Sequence, residues 1–143
     1  MKNTFLTLIL FFITSITSVA QSSDWTLYKT IDGVKIFTKE SDCVFKDGSN
    51  MDQTVILFKL ENTTNKDIMV SWTLRVWYNE KEMINYGDPN QRNYSFIVDS
   101  NKSIEGDCSQ LSNTKNLYLY KKFIKFKNSA SLTRFEFENL TVK

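Results

Sequence analysis

Few side chains in this sequence could perform catalysis. The 143 residues include 16 acidic residues but no histidine, which removes Ser-His-Asp and Cys-His nucleophilic sites and most transition-metal sites. Two carboxylates across a cleft can hydrolyse glycosides, and the candidates in loop-like segments are Asp88, Asp99, Glu105 and Asp107. Solvated loop acids are the simpler interpretation, so we expect no enzymatic activity, no cofactor and no metal.

Two cysteines, Cys43 and Cys108, are the other reactive groups. In an exported protein, a single pair of cysteines is expected to form one disulfide bond. Two separate buried thiols are the alternative. A bridge between these positions would close a long loop and supply a large share of the stability of a small domain.

Two further sets of residues could bind a partner. Arg75 and Trp77 share the polar face of a predicted strand, and arginine and tryptophan often anchor binding interfaces. Alternatively, the segment Asn79 to Asn93 covers Trp77. The run Tyr118 to Lys127 interleaves aromatic residues with lysines, as in nucleic-acid stacking or membrane contact. A buried aromatic face backed by solvated lysines explains that run more simply.

Residues 1–20 have the features of a secretory signal peptide. Lys2 supplies the positive start, Phe5 to Ile16 an apolar stretch too short to span a bilayer, and Ser18-Val19-Ala20 a cleavage site. Cleavage would leave one domain, residues 21–143, in a secreted or periplasmic location. The balance of 18 basic and 16 acidic residues predicts neither nucleic acid nor an anionic membrane as partner, and no further run could be membrane-embedded as a helix.

Period-two alternation predicts about seven strands in this domain. Asp32-Gly33 suits a tight turn within Trp25 to Lys39, and pairing Ile31 with Val34 would place these residues on the core face: Trp25, Leu27, Ile31, Val34 and Ile36. The other predicted strands are Thr54 to Glu61, Ile68 to Tyr78, Tyr94 to Val98, Leu117 to Lys127 and Leu132 to Val142.

Alternation also predicts the faces of two strands. In Ile68 to Tyr78, one face carries Val70, Trp72, Leu74, Val76 and Tyr78. In Leu132 to Val142, Phe135 and Phe137 face inward and Arg134, Glu136 and Glu138 outward. Two connections are predicted as loops: Asn79 to Asn93, with a helical turn possible at Glu80 to Ile84, and Asp99 to Asn116, which Cys108 would pin.

Short strands without a convincing long helix predict an antiparallel β-sandwich. The run Val55 to Tyr78 resembles the central hairpin of immunoglobulin-like sandwich modules in small secreted bacterial proteins, which implies an immunoglobulin-like topology. Antibody-type domains are excluded, because they have a tyrosine two residues before the second cysteine, where this chain has Gly106. Their core tryptophan also follows the first cysteine much sooner than Trp72 follows Cys43.

The first hairpin carries a second resemblance. Trp25 to Lys39, with its Asp32-Gly33 turn, is similar to the opening strands of START-type lipid-binding helix-grip domains. This resemblance implies a carrier of small apolar ligands with a long C-terminal helix over its sheet. The C-terminal residues Leu132 to Val142 alternate as a strand instead.

We therefore expect an exported, monomeric, non-catalytic module that binds an unknown protein or a surface glycan through Arg75 and Trp77. The alternatives are a START-like carrier, a small carboxylate-based hydrolase and a structural accessory of an envelope assembly. An enclosed apolar cavity would favour the carrier, and a pocket with converging acids the hydrolase. A flat exposed aromatic patch would favour the binder.

Overall fold

A computed structural model describes residues 25–45, 51–84, 93–110 and 117–143. Most of these residues lie in β-strands. These ranges contain nine strands and one short 3-10 helix, Cys108–Gln110. The strands are β1 Thr26–Ile31, β2 Val34–Cys43, β3 Gln53–Asn62, β4 Ile68–Tyr78, β5 Lys81–Glu82, β6 Asn93–Val98, β7 Ser103–Glu105, β8 Tyr118–Phe123 and β9 Leu132–Val142. The signal peptide predicted for residues 1–20 lies outside the described residues.

The strands form two antiparallel sheets. In the five-stranded sheet, β1, β2 and β3 lie in that order, and β7 and β8 both pair with the remaining edge of β3. In the four-stranded sheet, β4 is central, with β9 on one edge and β5 and β6 on the other. One cluster of buried side chains from both sheets forms the main core. The predicted all-β class is confirmed, and the two packed sheets are consistent with a β-sandwich.

Strand β4 alternates as predicted. Its residues from Ile68 to Tyr78 are in turn buried and at least partly exposed, so every second side chain enters the core. Trp72 is the largest of these, and its ring stacks on Tyr94 at 5.3 Å and meets Phe137 at 5.0 Å between centroids. Burial of one large apolar side chain stabilises the fold by roughly 1.5–3 kcal/mol, so β4 contributes much of the core energy.

Asn62 is a buried polar residue that links the two sheets. It ends β3 with only 1% of its surface exposed. Its side-chain nitrogen donates to the carbonyls of Lys66, Val98 and Asp99 at 2.7, 3.0 and 3.0 Å. Its side-chain oxygen accepts a hydrogen bond from the backbone amide of Thr64, with 2.8 Å between nitrogen and oxygen. Because these bonds compensate its burial, Asn62 fixes the turn between β3 and β4 against the end of β6.

The first hairpin has the predicted turn but not the predicted core face. Asp32 and Gly33 both have positive φ, 45° and 80°, as a two-residue turn of this type requires. A bulge between Leu27 and Lys29 then shifts the alternation of β1 by one residue.

Tyr28, although 40% exposed, makes the contact with the core that was predicted for Leu27. Its ring stacks on Phe135 at 5.4 Å, whereas Leu27 is 53% exposed. Trp25 packs against a separate cluster around Cys43. The prediction was therefore wrong for Leu27 and Trp25, because a strict period of two cannot anticipate a bulge. Val34 and Ile36 are in the core as predicted.

Three further segments differ from the predictions. The proposed helical turn at Glu80 to Ile84 is instead the two-residue strand β5. The loop Asp99 to Asn116 contains β7, which pairs with β3. Strand β8 ends at Phe123, well before the predicted end at Lys127. The amide of Ile124 still donates to the carbonyl of Asp52 at 2.9 Å, in register with the pairing of Phe123 and Gln53, and the chain leaves the sheet after this bond.

The C-terminal residues bear on the resemblance to helix-grip domains. Residues 132–142 form strand β9, which pairs along β4. A helix-grip domain requires a long helix over its sheet at this point. The described residues therefore do not support the START-like fold.

A second, smaller core lies on the outer face of the five-stranded sheet and contains the disulfide. Val55 and Leu57 point to this side because they alternate in β3 with residues of the main core. They pack with Cys43, which is bonded to Cys108 with 2.04 Å between the sulfur atoms. The predicted pair is confirmed, and the bridge holds the segment after β7 against the sheet. Disulfides of this kind are typical of oxidising compartments.

We expect the native protein to have no free thiol and to depend on this bridge for stability. The two cysteines are 65 residues apart, and a loop of that length corresponds to about 4 kcal/mol in the chain-entropy model. The double variant Cys43→Ala/Cys108→Ala should therefore unfold at a much lower urea concentration, and reduced wild type should unfold with it. Mass spectrometry after alkylation without reductant counts the free thiols. Two alkylated cysteines in the native protein would contradict the prediction.

Candidate binding face on the four-stranded sheet

The outer face of the four-stranded sheet brings both predicted binding residues together with charged residues from other strands. Arg75 and Trp77 point away from the core, since their neighbours in β4 are buried. Across the ladder to β9, Arg75 is paired with Glu136 and Trp77 with Arg134. We call the following set the Arg-Trp face: Arg75, Trp77, Glu82, Arg134, Glu136 and Glu138.

Two guanidinium groups pack against the indole ring of Trp77. The guanidinium carbon of Arg75 lies 4.9 Å from the ring centroid and that of Arg134 lies 4.4 Å from it. Both distances are within the range of cation–π attraction. Trp77 is half-buried, so its ring is neither in the core nor fully open to solvent.

Three carboxylates surround the guanidinium of Arg75. Its Nη2 and Nε atoms donate to Glu82 Oε1 at 2.6 and 2.8 Å, and its Nη1 atom donates to Glu138 Oε1 at 2.9 Å. Glu136 lies 4.0 Å from Nη1 and also pairs with Arg134. The hydrogen bond to Glu82 is the main reason that the pKa of Arg75 is raised. The side chain is 36% exposed, so this fixed cation can still reach a partner.

A row of small polar groups continues the same face along β4. The hydroxyl of Ser71 donates to Ser95 at 3.0 Å, and that of Thr73 donates to the side-chain oxygen of Asn93 at 3.0 Å. These pairs join β4 to β6. The face therefore combines an aromatic ring, fixed charges and exposed hydroxyl groups.

Of the four loop acids considered for a hydrolytic site, the three that the structure describes each have a separate local partner. The contacts join Asp99 to Lys102 at 2.9 Å, Glu105 to Lys59 at 3.9 Å, and Asp107 to the amide of Ser109 at 2.6 Å. Asp88 lies outside the described residues. Within the described ranges, no group of three or more His, Cys, Asp or Glu residues is arranged to hold a metal. The same part of the chain has no helix long and apolar enough to cross a membrane.

The aromatic and lysine-rich run divides at Phe123. Within β8, Tyr120 stacks on Tyr78 with 6.0 Å between ring centroids, as the buried-face interpretation predicts. Beyond β8, Ile124 is 39% and Phe126 49% exposed. The buried-face interpretation was therefore wrong for the loop after β8, which leaves the ladder and displays its apolar side chains.

Asp52 holds this loop in place. It is only 5% exposed. Its carboxylate accepts a hydrogen bond from the backbone amide of Phe45 at 3.0 Å and forms an ion pair with Lys125 Nζ at 2.8 Å. The hydrogen bond to Lys125, followed by that to Phe45, lowers the pKa of Asp52. With the carbonyl bond to Ile124, Asp52 joins three segments at one end of the five-stranded sheet.

Known proteins give no further guide to the site. The chain matches no family model, no curated protein sequence and no solved structure. The sequence pointed to Arg75 and Trp77 as candidates but did not connect them with Glu82, Arg134, Glu136 and Glu138. Alternation already placed the β9 charges on an outer face, but only the pairing of β4 with β9 brings them beside Arg75.

We expect Asp52→Asn to destabilise the protein at neutral pH and to have little effect in acid. The folded-state pKa of Asp52 lies below its ordinary value of 3.8. Its ionised form therefore stabilises the fold above the unfolded pKa, and this contribution is lost as the pH falls through the folded pKa. Urea midpoints of wild type and variant should differ at pH 7 and converge as the pH falls below 3.8.

Asp32→Asn is the matched control, because Asp32 is exposed in a turn that asparagine also suits. The control should follow wild type at every pH. A difference between wild type and Asp52→Asn that stays constant into acid would contradict the role given to the Asp52 carboxylate.

Proposed function

We propose that this protein is an exported, non-catalytic binding module that contacts a protein or a surface glycan through the Arg-Trp face. The observation that carries the proposal is a half-buried Trp77 ring beside two guanidinium groups, one of which is surrounded by three carboxylates. Tryptophan and arginine are the residues most often found at the energetic centre of interfaces.

The fixed position of Arg75 favours binding. A long side chain normally loses rotamer freedom when an interface forms, and that loss weakens association. Contacts with Glu82 and Glu138 already restrict Arg75 in the free protein. A partner that stacks on Trp77 or accepts a hydrogen bond from the exposed edge of Arg75 therefore meets a preformed surface.

The chemistry of the face supports a protein or glycan rather than nucleic acid. The two arginines of the face stand beside three glutamates, so the surface is not an electropositive patch of the kind that binds phosphates. The hydroxyl groups of Ser71 and Thr73 extend it with neutral polar groups. An aromatic ring with hydroxyls and balanced charges suits a polar partner of low net charge.

The strand order supports an immunoglobulin-like arrangement as part of the same proposal. If β2, β3, β4, β8 and β9 correspond to strands A, B, C, E and F, then A-B-E are neighbours in one sheet and C-F in the other. Among the described residues, no strand pairs beyond β9, where strand G would lie. Sandwiches of this kind are common in cell-surface domains, and the disulfide agrees with an oxidising, extracytoplasmic location.

The test compares the affinity of wild type and Arg75→Ala/Trp77→Ala for a partner captured from the exported fraction of the source cells or from a glycan array. We expect the double variant to bind at least tenfold more weakly, a loss of about 1.4 kcal/mol. Met69→Ala is the matched control, because Met69 lies on the outer face of the same strand and is 40% exposed. Its affinity should equal that of wild type.

Thermal unfolding of the same variants separates binding from stability. Trp77 is half-buried, so Trp77→Ala should cost less than the roughly 3–5 kcal/mol of an emptied core site. Undiminished affinity in the double variant would contradict the proposal. A core-sized loss of stability in Trp77→Ala would show instead that Trp77 is structural.

A further inference from the structure

The end of the five-stranded sheet where Asp52 lies displays a group of exposed apolar side chains. The register of β2, β3 and β8 aligns Cys43, Gln53 and Phe123. Just beyond these positions, Val44 is 67%, Met51 55%, Ile124 39% and Phe126 49% exposed. We call Val44, Met51, Ile124 and Phe126 the apolar end. Exposed hydrophobic residues scattered singly are ordinary, but a group of them marks an interaction surface.

Lysines alternate with the apolar residues of the loop. Lys122, Lys125 and Lys127 occur within the same run as Ile124 and Phe126. Lys125 is paired with Asp52. Lys122 and Lys127 are exposed and form no ion pair with any residue that the structure describes. The loop therefore presents uncompensated positive charge beside exposed apolar side chains.

This combination fits one kind of partner best. Side chains of peripheral proteins enter the boundary between head groups and acyl chains with apolar groups, while lysines remain at the level of anionic head groups. Nucleic acid fits poorly, because Val44, Met51 and Ile124 are aliphatic or thioether side chains that do not stack on bases as aromatic rings do. A protein interface fits poorly as well, since lysine is depleted there.

Asp52 makes the surface rigid enough to dock. It binds the amide of Phe45, the amide of Ile124 and the ammonium group of Lys125. The segments that carry the apolar end are thus held together before any contact with a surface. Phe126 is supported from behind, because its ring meets Phe123 edge-on at 5.7 Å between centroids.

We infer that the apolar end docks the exported protein onto the surface of a bilayer that contains anionic lipid, with Ile124 and Phe126 inserted and Lys122 and Lys127 at the phosphate groups. This attachment is peripheral, and it goes beyond the proposed function because it uses a different surface from the Arg-Trp face. Either surface can act without the other, so the two proposals can fail separately.

The experiment is co-sedimentation of the exported protein with vesicles of phosphatidylcholine, with and without phosphatidylglycerol as the anionic lipid. Wild type should bind the anionic vesicles at low salt and the neutral vesicles at least tenfold more weakly. Ile124→Ser/Phe126→Ser and Lys122→Gln/Lys127→Gln should each weaken binding to the anionic vesicles at least tenfold. Ile97→Ser is the matched control, because Ile97 is 69% exposed on the four-stranded sheet, and it should bind as wild type does.

Three results would overturn the inference. Failure of the wild-type protein to sediment with anionic vesicles would show that it does not bind anionic bilayers. Loss of binding in the lysine variant alone, together with equally tight binding to a DNA duplex, would show charge attraction without insertion. Equal loss in Ile97→Ser would show that the effect does not belong to this surface.

If circular dichroism shows that Ile124→Ser/Phe126→Ser does not fold, the lysine variant and the dependence on anionic lipid still test the inference. Arg75→Ala/Trp77→Ala should bind vesicles normally, which keeps the test separate from that of the proposed function.

Discussion

The alternation of strand β4 is the constraint on which the rest of the structure depends. Burial of Val70, Trp72, Leu74 and Val76 fixes which face of the strand meets the five-stranded sheet. A shift of one residue would expose this whole set and turn Arg75 into the core without partners. The same alternation therefore builds the core and, on the other side of the sheet, aims Arg75 and Trp77 outward. Pairing of β4 with β9 then brings Glu136 and Glu138 to Arg75.

The two sheets use their outer faces differently. On the five-stranded sheet, Val55 and Leu57 belong to a small second core. The Cys43–Cys108 bridge holds the segment after β7 against this core. On the four-stranded sheet, the outer face carries charged, hydroxyl and half-buried aromatic groups instead. This difference explains why the Arg-Trp face is the better candidate for binding: its groups are satisfied by one another yet still reach solvent.

Sequence reasoning predicted the features that depend on local periodicity, and missed those that depend on distant pairing. The strands around Trp72 and Phe137 and the outward face of Arg75 follow from alternation along a single segment. The contact of Tyr28 with Phe135 depends on a bulge in β1. Strand β7 depends on its pairing with β3, and the partners of Arg75 depend on the register of β9. None of these three features can be read from the residue pattern of a single strand.

Gly106 shows the same limit. From the sequence, the glycine at this position showed only that the chain is not an antibody-type domain. In the fold, a Cβ atom at this position would lie 2.1 Å from the carbonyl oxygen of Leu117. The two backbones pass too closely for any side chain, and only the folded arrangement reveals why glycine stands there.

Preorganisation of Arg75 can be measured in the free protein by NMR relaxation of its Nε–H group. This group donates to Glu82 at 2.8 Å, so its order parameter should approach that of rigid backbone, about 0.85. The more exposed Arg134 side chain, at 60%, provides an internal comparison and should be more mobile. An Arg75 order parameter below about 0.6 would show a mobile guanidinium and contradict a contact surface that exists before its partner binds.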